Sequence, residues 1–401
     1  MRILQISQTY YPFLAAGGPP AKVRAIATRL AQNGNSVTVL TADYGVESHA
    51  SKIGNLERCE WGWRSVGSGV ETIYLRTLAR YRSVTFNPDV VGFAEKRLAD
   101  IDVAHIYGIY DLLGPAVAKR CSRRSIPYVL EPIGMLRPIV RSLRLKQLYH
   151  RTFGKQLIRG ARYLIATSEQ EKQEFIGAGI EQNRVVVRRN GIDAPQVLPA
   201  FGAFRTRWSI PEDVKLVLFL GRVISKKSPE ILIRAFASWR TNQGRTVRAV
   251  LVLAGPEEEG SYLRGLKDLC ATLGVSDAVL FTGPLYDDAK WAAYRDADVF
   301  VLPSQNENFG NTAAESAACG TPVIVTDRCG IAPIIAGRAG VVIPHDVAAL
   351  ESALASLLAR PNLRESYRAG CAAVMRELSW DEPVVRMEQL YQRCVAEVAN
   401  P

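Results

Sequence analysis

From Val299 the chain reads Val-Phe-Val-Leu302, then Pro303-Ser-Gln-Asn-Glu307-Asn-Phe309-Gly310-Asn311-Thr312-Ala-Ala-Glu315-Ser-Ala-Ala-Cys-Gly320-Thr-Pro322. Four apolar residues between Asp298 and Pro303 mark a strand buried on both faces. The loop after it carries Glu307 and Gly310, and a short helix of small residues begins at Asn311 or Thr312 and stops at Gly320. Strand, loop and helix in that order form the repeating unit of a parallel sheet. The glutamates lie eight positions apart, which would separate them by about 80° on one helix. With the first in the loop and the second in the opening turn, both face one crevice beyond the strand's carboxyl end, where open α/β sheets bind ligands. Gly310 and the free amides after it offer an anion site. Thr312-Ala-Ala-Glu315 also reads as a capping box, in which Glu315 bonds only backbone; that reading leaves Glu307 and Gly310 unexplained.

The same alternation extends in both directions. Upstream, strands are expected at 2–6, 36–41, 70–75, 103–107, 128–131, 163–166 and 184–187, with amphipathic stretches such as Ala21–Asn33 between most of them. Around the opening stretch they are expected at 214–220, 249–254, 279–282, 299–302 and 322–326. The pattern pauses at Asn190-Gly191-Ile-Asp-Ala-Pro195 and in the turn-rich residues to Pro211. This predicts two α/β domains, 1–195 and 196–379, each long enough to bury its own core.

Composition sets the class. The chain has 401 residues, 48% hydrophobic and 22% charged, which excludes wholesale disorder. No apolar run approaches the roughly 18 residues of a membrane span, and the first residues are too briefly apolar for a signal peptide; a cytoplasmic protein is expected. Seven scattered cysteines without a CxxC fit a reducing compartment, and four scattered histidines give no metal-ligand spacing. The net charge of +11 is one-sided: residues 1–195 hold 28 Lys and Arg against 16 Asp and Glu, a net +12, while the remainder holds 22 against 23. Between Glu131 and Glu169 stand Arg137, Arg141, Arg144, Lys146, Arg151, Lys155, Arg159 and Arg162 with no acid. A basic helix is usually only a solvated face, but an excess of this size points to an anionic surface or substrate. No nucleic-acid-binding module accompanies it.

Two further segments carry chemistry. Gly17-Gly18-Pro19-Pro20 lies between the first strand and a helix; glycines there admit a phosphate to the backbone, though a strand–helix turn also favours them. Gly221-Arg222-Val-Ile-Ser-Lys226-Lys227-Ser228 follows the first strand of the second domain. Arg222 and Lys227 pair a fork donor with a point charge, which suits a diphosphate. A P-loop is excluded because Lys226 stands at its second glycine. Asp296-Ala-Asp298 resembles a metal-binding DxD but opens a buried strand and is read as a strand start.

Together, the paired glutamates, Gly221-Arg222…Lys227, Gly17-Gly18 and Asn190-Gly-Ile-Asp193 make the chain resemble, over nearly its full length, the retaining GT-B glycosyltransferases of family 4 (glycosyl transferases group 1). The resemblance implies two Rossmann-like domains with parallel sheets facing across a cleft, an acceptor domain first and a donor domain second, with helix 380–401 returning to the first. It implies that Arg222 and Lys227 hold the donor diphosphate, Glu307 with the Phe309–Gly310 backbone the donor sugar, and Glu315 the ribose. Asn311 and Thr312 would present helix-opening amides, the base pocket would fall at Gly283 and Leu285, and Gly17 and Gly18 would approach the phosphates. The chain departs from the family at Glu131-Pro-Ile133-Gly134, where an active-site histidine is common. His105, at the end of the fourth strand, is the nearest substitute, with Tyr107 and Glu131 behind it. The implied reaction moves a sugar from a nucleotide sugar, UDP before GDP, to a lipid-linked or polysaccharide hydroxyl, without metal or other cofactor. Arg137, Arg141, Arg144 and Lys146 would face the acceptor or an anionic membrane, placing the protein at the cytoplasmic face. An epimerase or phosphorylase of the same fold, or a non-catalytic nucleotide-sugar-binding protein, remains as an alternative.

Overall fold

The computed structural model describes residues 1–13, 18–81, 84–136, 143–242, 247–257 and 260–399. The chain divides into two compact units, Met1–Gly191 with Trp380–Pro401, and Ile192–Ser379.

The first unit is built on a nine-stranded sheet. Its strands are β1 (Arg2–Ser7), β2 (Ser36–Ala42), β3 (Leu56–Cys59), β4 (Gly62–Gly67), β5 (Val70–Leu75), β8 (Val103–Tyr107), β9 (Tyr128–Glu131), β10 (Tyr163–Ala166) and β11 (Val185–Val187). Their order is β11-β10-β9-β8-β1-β2-β5-β4-β3. All neighbours are parallel except β4, which runs antiparallel to β3 and β5. A separate hairpin joins β6 (Ala79–Tyr81) to β7 (Val84–Phe86). Helix Gly18–Gln32 turns Val23, Ile26, Ala27 and Leu30 inward, the spacing of an apolar helical stripe, and all four are fully buried. The antiparallel edge is absent from the sequence reading because β3 and β4 carry Glu57, Arg58 and Arg64 in place of an apolar run. β3 is the sheet edge, where charges are tolerated, and on β4 next to it Arg64 pairs with Glu71 of β5 at 2.8 Å. Gly62, the first residue of β4, has φ +140, and a Cβ there would stand 2.3 Å from the Tyr74 carbonyl oxygen.

The second unit carries six parallel strands: β12 (Lys215–Leu220), β13 (Ala249–Ala254), β14 (Val279–Gly283), β15 (Val299–Leu302), β16 (Val323–Thr326) and β17 (Gly340–Ile343), in the order β14-β13-β12-β15-β16-β17. Helices cover both faces, giving two apolar layers, one around Leu218, Phe300 and Ala314, the other around Phe219, Val301 and Leu354. β17 escaped the sequence reading because it is short and opens on a glycine. A Cβ at Gly340 would stand 1.8 Å from the Val323 carbonyl oxygen, so only glycine lets this strand pair.

The division falls at Gly191/Ile192 rather than at 195/196. A Cβ on Gly191 would stand 2.5 Å from the Trp380 ring in the first unit, while the Ile192 amide donates to the Leu378 carbonyl of the second at 2.8 Å. The turn-rich residues that follow are not a free linker. The Asp296 carboxylate accepts the amides of Gly202, Phe204 and Arg205 at 2.7, 2.8 and 3.1 Å, tying that stretch to the second unit. Helix Asp381–Ala399 lies on the first unit, where Glu388 accepts from Asn33 and Asn35 and Glu397 from Arg162 and Tyr163. Among the described residues no helix is long and apolar enough to cross a membrane.

Candidate functional site

In the second unit the candidate residues gather beyond the carboxyl ends of the strands. β12 ends at Leu220, and Gly221 is overlapped by Gly255, which follows β13. A Cβ on Gly255, at φ +149, would fall 1.7 Å from the Gly221 carbonyl oxygen. Two strand ends therefore approach as only glycine allows. Arg222 stands exposed on the next residue. The chain tightens into a 3-10 turn at Ser225–Lys227, passes through Ser228 at φ 51, and enters helix Pro229–Asn242.

The loop after β15 is stitched to that turn. The Gln305 amide donates to the Lys226 carbonyl at 3.0 Å. The Glu307 amide donates to the Arg328 carbonyl at 3.0 Å, and the Glu307 carbonyl accepts from Gly330 at 2.9 Å. Glu307 is thus held at both backbone groups by the loop beyond β16, and its carboxylate pairs with the Lys227 ammonium. Both side chains keep part of their surface in solvent. Gly310 has φ +108, and a Cβ would press within 2.9 Å of Ile331. Helix Asn311–Ala318 starts on it, and no side chain caps that start. Asn311 and Thr312 therefore present first-turn amides of the kind that attract anions. The Phe309 ring is buried in the core, which leaves only its backbone at the site.

Glu315 does not close a capping box. Its carboxylate accepts from Lys290 Nζ at 2.8 Å and from the Tyr294 hydroxyl at 2.9 Å, both on helix Asp287–Asp296. Sequence reading missed Lys290 and Tyr294; nothing marks two residues more than twenty positions upstream as partners of a particular glutamate. Gly283 ends β14 at φ +72 and its carbonyl accepts the Gly255 amide at 2.9 Å, while Leu285 is buried in the core. Asp298 pairs with Arg205 at 3.0 Å and Lys215 at 3.1 Å and accepts the Leu216 amide at 2.9 Å. With Asp296 engaged as described, both acids of Asp296-Ala-Asp298 serve the fold.

In the first unit, Gly17, Arg137 and Arg141 lie outside the described residues, and Gly18 opens its helix. Arg144 is exposed; Lys146 is half-buried, its ammonium 5.2 Å from the Tyr110 ring centre. His105, the candidate expected at the end of the fourth strand, stands mid-strand in Val103–Tyr107, in the interior with no exposed surface. Its Nδ1 is 2.7 Å from the Tyr391 hydroxyl, its ring stacks on Tyr107 at 3.8 Å, and its Nε2 is 3.6 Å from Glu131. The strand positions that made it a candidate point inward, because the parallel sheet is covered on that face by the C-terminal helix. Glu131 sits at the centre of this cluster, 2.6 Å from Lys22 and 2.6 Å from Arg188, all three buried. Burial alone would raise the Glu131 carboxyl, but the Arg188 and Lys22 cations outweigh it and hold it well below the carboxylate range. Burial pushes the His105 imidazole down to about 3 despite Glu131, so it is neutral at pH 7. A depressed native value means that the unfolded chain takes up the proton first as pH falls below about 6.5. Stability present above that pH is lost toward pH 3 with a slope of up to about 1.4 kcal/mol per pH unit. Urea unfolding of wild type and His105→Gln between pH 7 and pH 5 should show this slope reduced in the variant. Ile133, where the resemblance leads one to expect histidine, holds φ 53, a left-handed conformation uncommon for a β-branched residue.

Comparison with known proteins agrees with this geometry. Residues 201–370 match the family "Glycosyl transferases group 1", and residues 17–191 match "Glycosyl transferase 4-like domain". The chain is 36% identical over 253 residues to a D-inositol 3-phosphate glycosyltransferase of Thermomonospora curvata, covering 59% of this chain and 58% of that protein. Among solved structures it is similar to sucrose-phosphate synthase from Thermosynechococcus elongatus (TM-score 0.74, 22% identity, 99% of each chain). It is also similar to Anabaena HepE, solved in complex with UDP and glucose (TM-score 0.77, 17% identity, 98% of this chain and 100% of that one). These likenesses establish the GT-B fold, with its two Rossmann-like domains.

Proposed function

The chain belongs to the group 1, or family 4, glycosyltransferases, and from that premise we propose that it transfers a sugar from a nucleoside-diphosphate sugar to a hydroxyl, with retention at the anomeric carbon. The observation that supports this most is the Lys227–Glu307 pair beside the uncapped helix start at Gly310. In this reading the Lys227 ammonium and the first-turn amides of the helix meet the leaving diphosphate, and the Glu307 carboxylate accepts from the sugar hydroxyls. The acceptor hydroxyl attacks from the face that the diphosphate vacates, and a phosphate oxygen takes its proton. Arg222, Lys227 and the amides of Asn311 and Thr312 then stabilise the departing charge. Glu307 positions the sugar, and Glu315, held by Lys290 and Tyr294, the ribose. UDP is the expected nucleoside diphosphate.

The two glutamates separate the steps. Glu315→Gln weakens UDP binding, read as a smaller UDP-induced rise in melting temperature. Glu307→Gln keeps UDP affinity near wild type and cuts transfer. A Glu315→Gln protein with lowered melting temperature and unchanged UDP affinity would remove the ribose assignment. Transfer is expected to persist in excess EDTA; loss that magnesium or manganese restores would refute metal independence.

The acceptor is proposed to be a lipid-linked or growing polysaccharide, reached by peripheral attachment to the cytoplasmic face of the membrane. Helix Leu143–Tyr149 and its continuation to Gly154 expose Leu145, Leu148 and Phe153 beside Arg144 and Arg151. An apolar strip flanked by cations is the composition that rests on anionic lipid, at about 1 kcal/mol per cation near the surface.

A further inference from the structure

The turn that carries Lys227 holds a conformation its sequence does not favour. Ser228 has φ 51 and ψ 44, the left-handed region that residues with a side chain seldom enter. Pro229 follows it, and a residue before proline is pushed toward extended backbone. A conformation disfavoured on both counts persists only where its surroundings impose it. Ser228 is buried, so protein contacts do the imposing.

Local bonds close the turn: the Lys227 amide donates to the Ile224 carbonyl at 2.9 Å and the Ser228 amide to the Ser225 carbonyl at 3.0 Å. Two distant ones hold it in place. On one side the Gln305 amide, in the loop after β15, donates to the Lys226 carbonyl at 3.0 Å. On the other the Ser228 hydroxyl meets His345 Nε2 at 2.9 Å. The hydroxyl proton is engaged by the Ser225 carbonyl at 3.3 Å, so the imidazole N–H donates and the serine oxygen accepts. His345 lies just beyond β17, 117 positions from Ser228. Its neighbours fix its own place. The Ile343 carbonyl accepts from the Asp327 amide at 2.8 Å, and the Asp346 carboxylate caps helix Val347–Ala359 through the Ala349 amide at 2.9 Å.

We propose that His345 is a positioning residue for Lys227. Its bond locks Ser228 in the left-handed form, and that sets the direction in which Lys227 leaves the turn, toward Glu307 and the donor diphosphate. The proposal rests on the donor-site reading above. A mere clip between helices would need no strained residue. Helices Pro229–Asn242 and Val347–Ala359 already share an apolar layer through Leu232, Phe236 and Leu354. Glu351 also joins them, accepting from Ser238 at 2.6 Å and from Asn242 at 2.9 Å. The left-handed serine stands only at the end next to Lys227.

The test is isothermal titration calorimetry with UDP and UMP, or with GDP and GMP if guanosine is the base bound. Only the diphosphate offers the group assigned to Lys227, so the ratio of the two affinities reads that lysine rather than the fold. Lys227→Ala lowers the preference for diphosphate by roughly tenfold or more, the contribution of one hydrogen bond to a charged group. His345→Ala lowers it by roughly threefold or more, a part of the same contribution. His345→Gln, whose amide N–H replaces that of the imidazole, recovers most of the loss. Glu351→Ala lowers the melting temperature and leaves the ratio at the wild-type value. In a Ser228→Gly background, where positive φ costs little, adding His345→Ala changes the ratio little. Ser228→Ala breaks the bond from its other end and carries the test if His345→Ala does not fold. A wild-type ratio in His345→Ala or Ser228→Ala, or a His345→Ala loss as large in the Ser228→Gly background, overturns the positioning role alone. A wild-type ratio in Lys227→Ala, or a wild-type protein that binds neither diphosphate, overturns the donor-site reading and His345 with it.

Discussion

Lys227→Ala and Arg222→Ala each lower kcat by on the order of 10²–10³, the loss that follows removal of one preorganised donor to a developing negative charge, while circular dichroism and the melting temperature stay close to wild type. The fold is spared because neither side chain belongs to the core: Arg222 is exposed and Lys227 touches solvent beside Glu307. The Lys227 and Glu307 effects do not add. Each residue is the other's partner in the unliganded site, so Lys227→Ala also releases the Glu307 carboxylate from its fixed position. A double-mutant cycle on transfer rate should give a coupling of roughly 0.5–3 kcal/mol, whereas Arg222→Ala combined with Glu315→Gln should be closer to additive. Near-wild-type turnover in both single variants would remove the diphosphate assignment.

Glu131→Gln destabilises the first unit by about 3–5 kcal/mol, the usual cost of leaving buried charge without its partner. Lys22 and Arg188 both reach Glu131 at 2.6 Å, and neither has solvent to turn to. Urea unfolding of the intact chain measures the loss. Lys22→Met in the Glu131→Gln background should recover part of it, since it removes one of the stranded cations. A Glu131→Gln protein of unchanged stability would mean that the cluster is solvated and that its burial does not matter. This substitution leaves the second unit untouched, so its UDP-induced thermal shift should persist wherever the protein remains folded.

Most of the architecture was legible in the sequence, because parallel strands covered on both faces are continuous apolar runs. β15 as Val-Phe-Val-Leu and β12 as Lys-Leu-Val-Leu-Phe-Leu declare themselves without a partner. What escaped has a physical reason in each case. β3 is a charged edge strand and β4 its charged neighbour, β17 begins on a glycine demanded by a backbone contact with Val323, and the apolar side of β6–β7 faces outward, so no buried stripe is written there. Glu307 and Gly310 were legible as candidates because they share the loop after β15, and Lys227 because it follows the end of β12; the fold then brings Lys227 and Glu307 together. Lys290 and Tyr294 were not, since only the packing of two helices brings them to Glu315. The burial of His105 was not legible for a related reason: strand position tells where a residue lies along a sheet, but not whether a helix from the far end of the chain closes over it, as the helix bearing Tyr391 does here.

In the second unit the Lys227 ammonium and the Glu307 carboxylate pair with each other. A ligand that offers only phosphate draws Lys227 away and strands the carboxylate, while one that offers only sugar hydroxyls satisfies Glu307 and leaves the ammonium facing nothing better than it had. On the proposed reading a nucleotide sugar would bring both exchanges in a single molecule. The pair would then act as a coincidence detector, and it would run in reverse once the glycosidic bond to the carrier is cut, the lysine and glutamate reclaiming one another as the products leave.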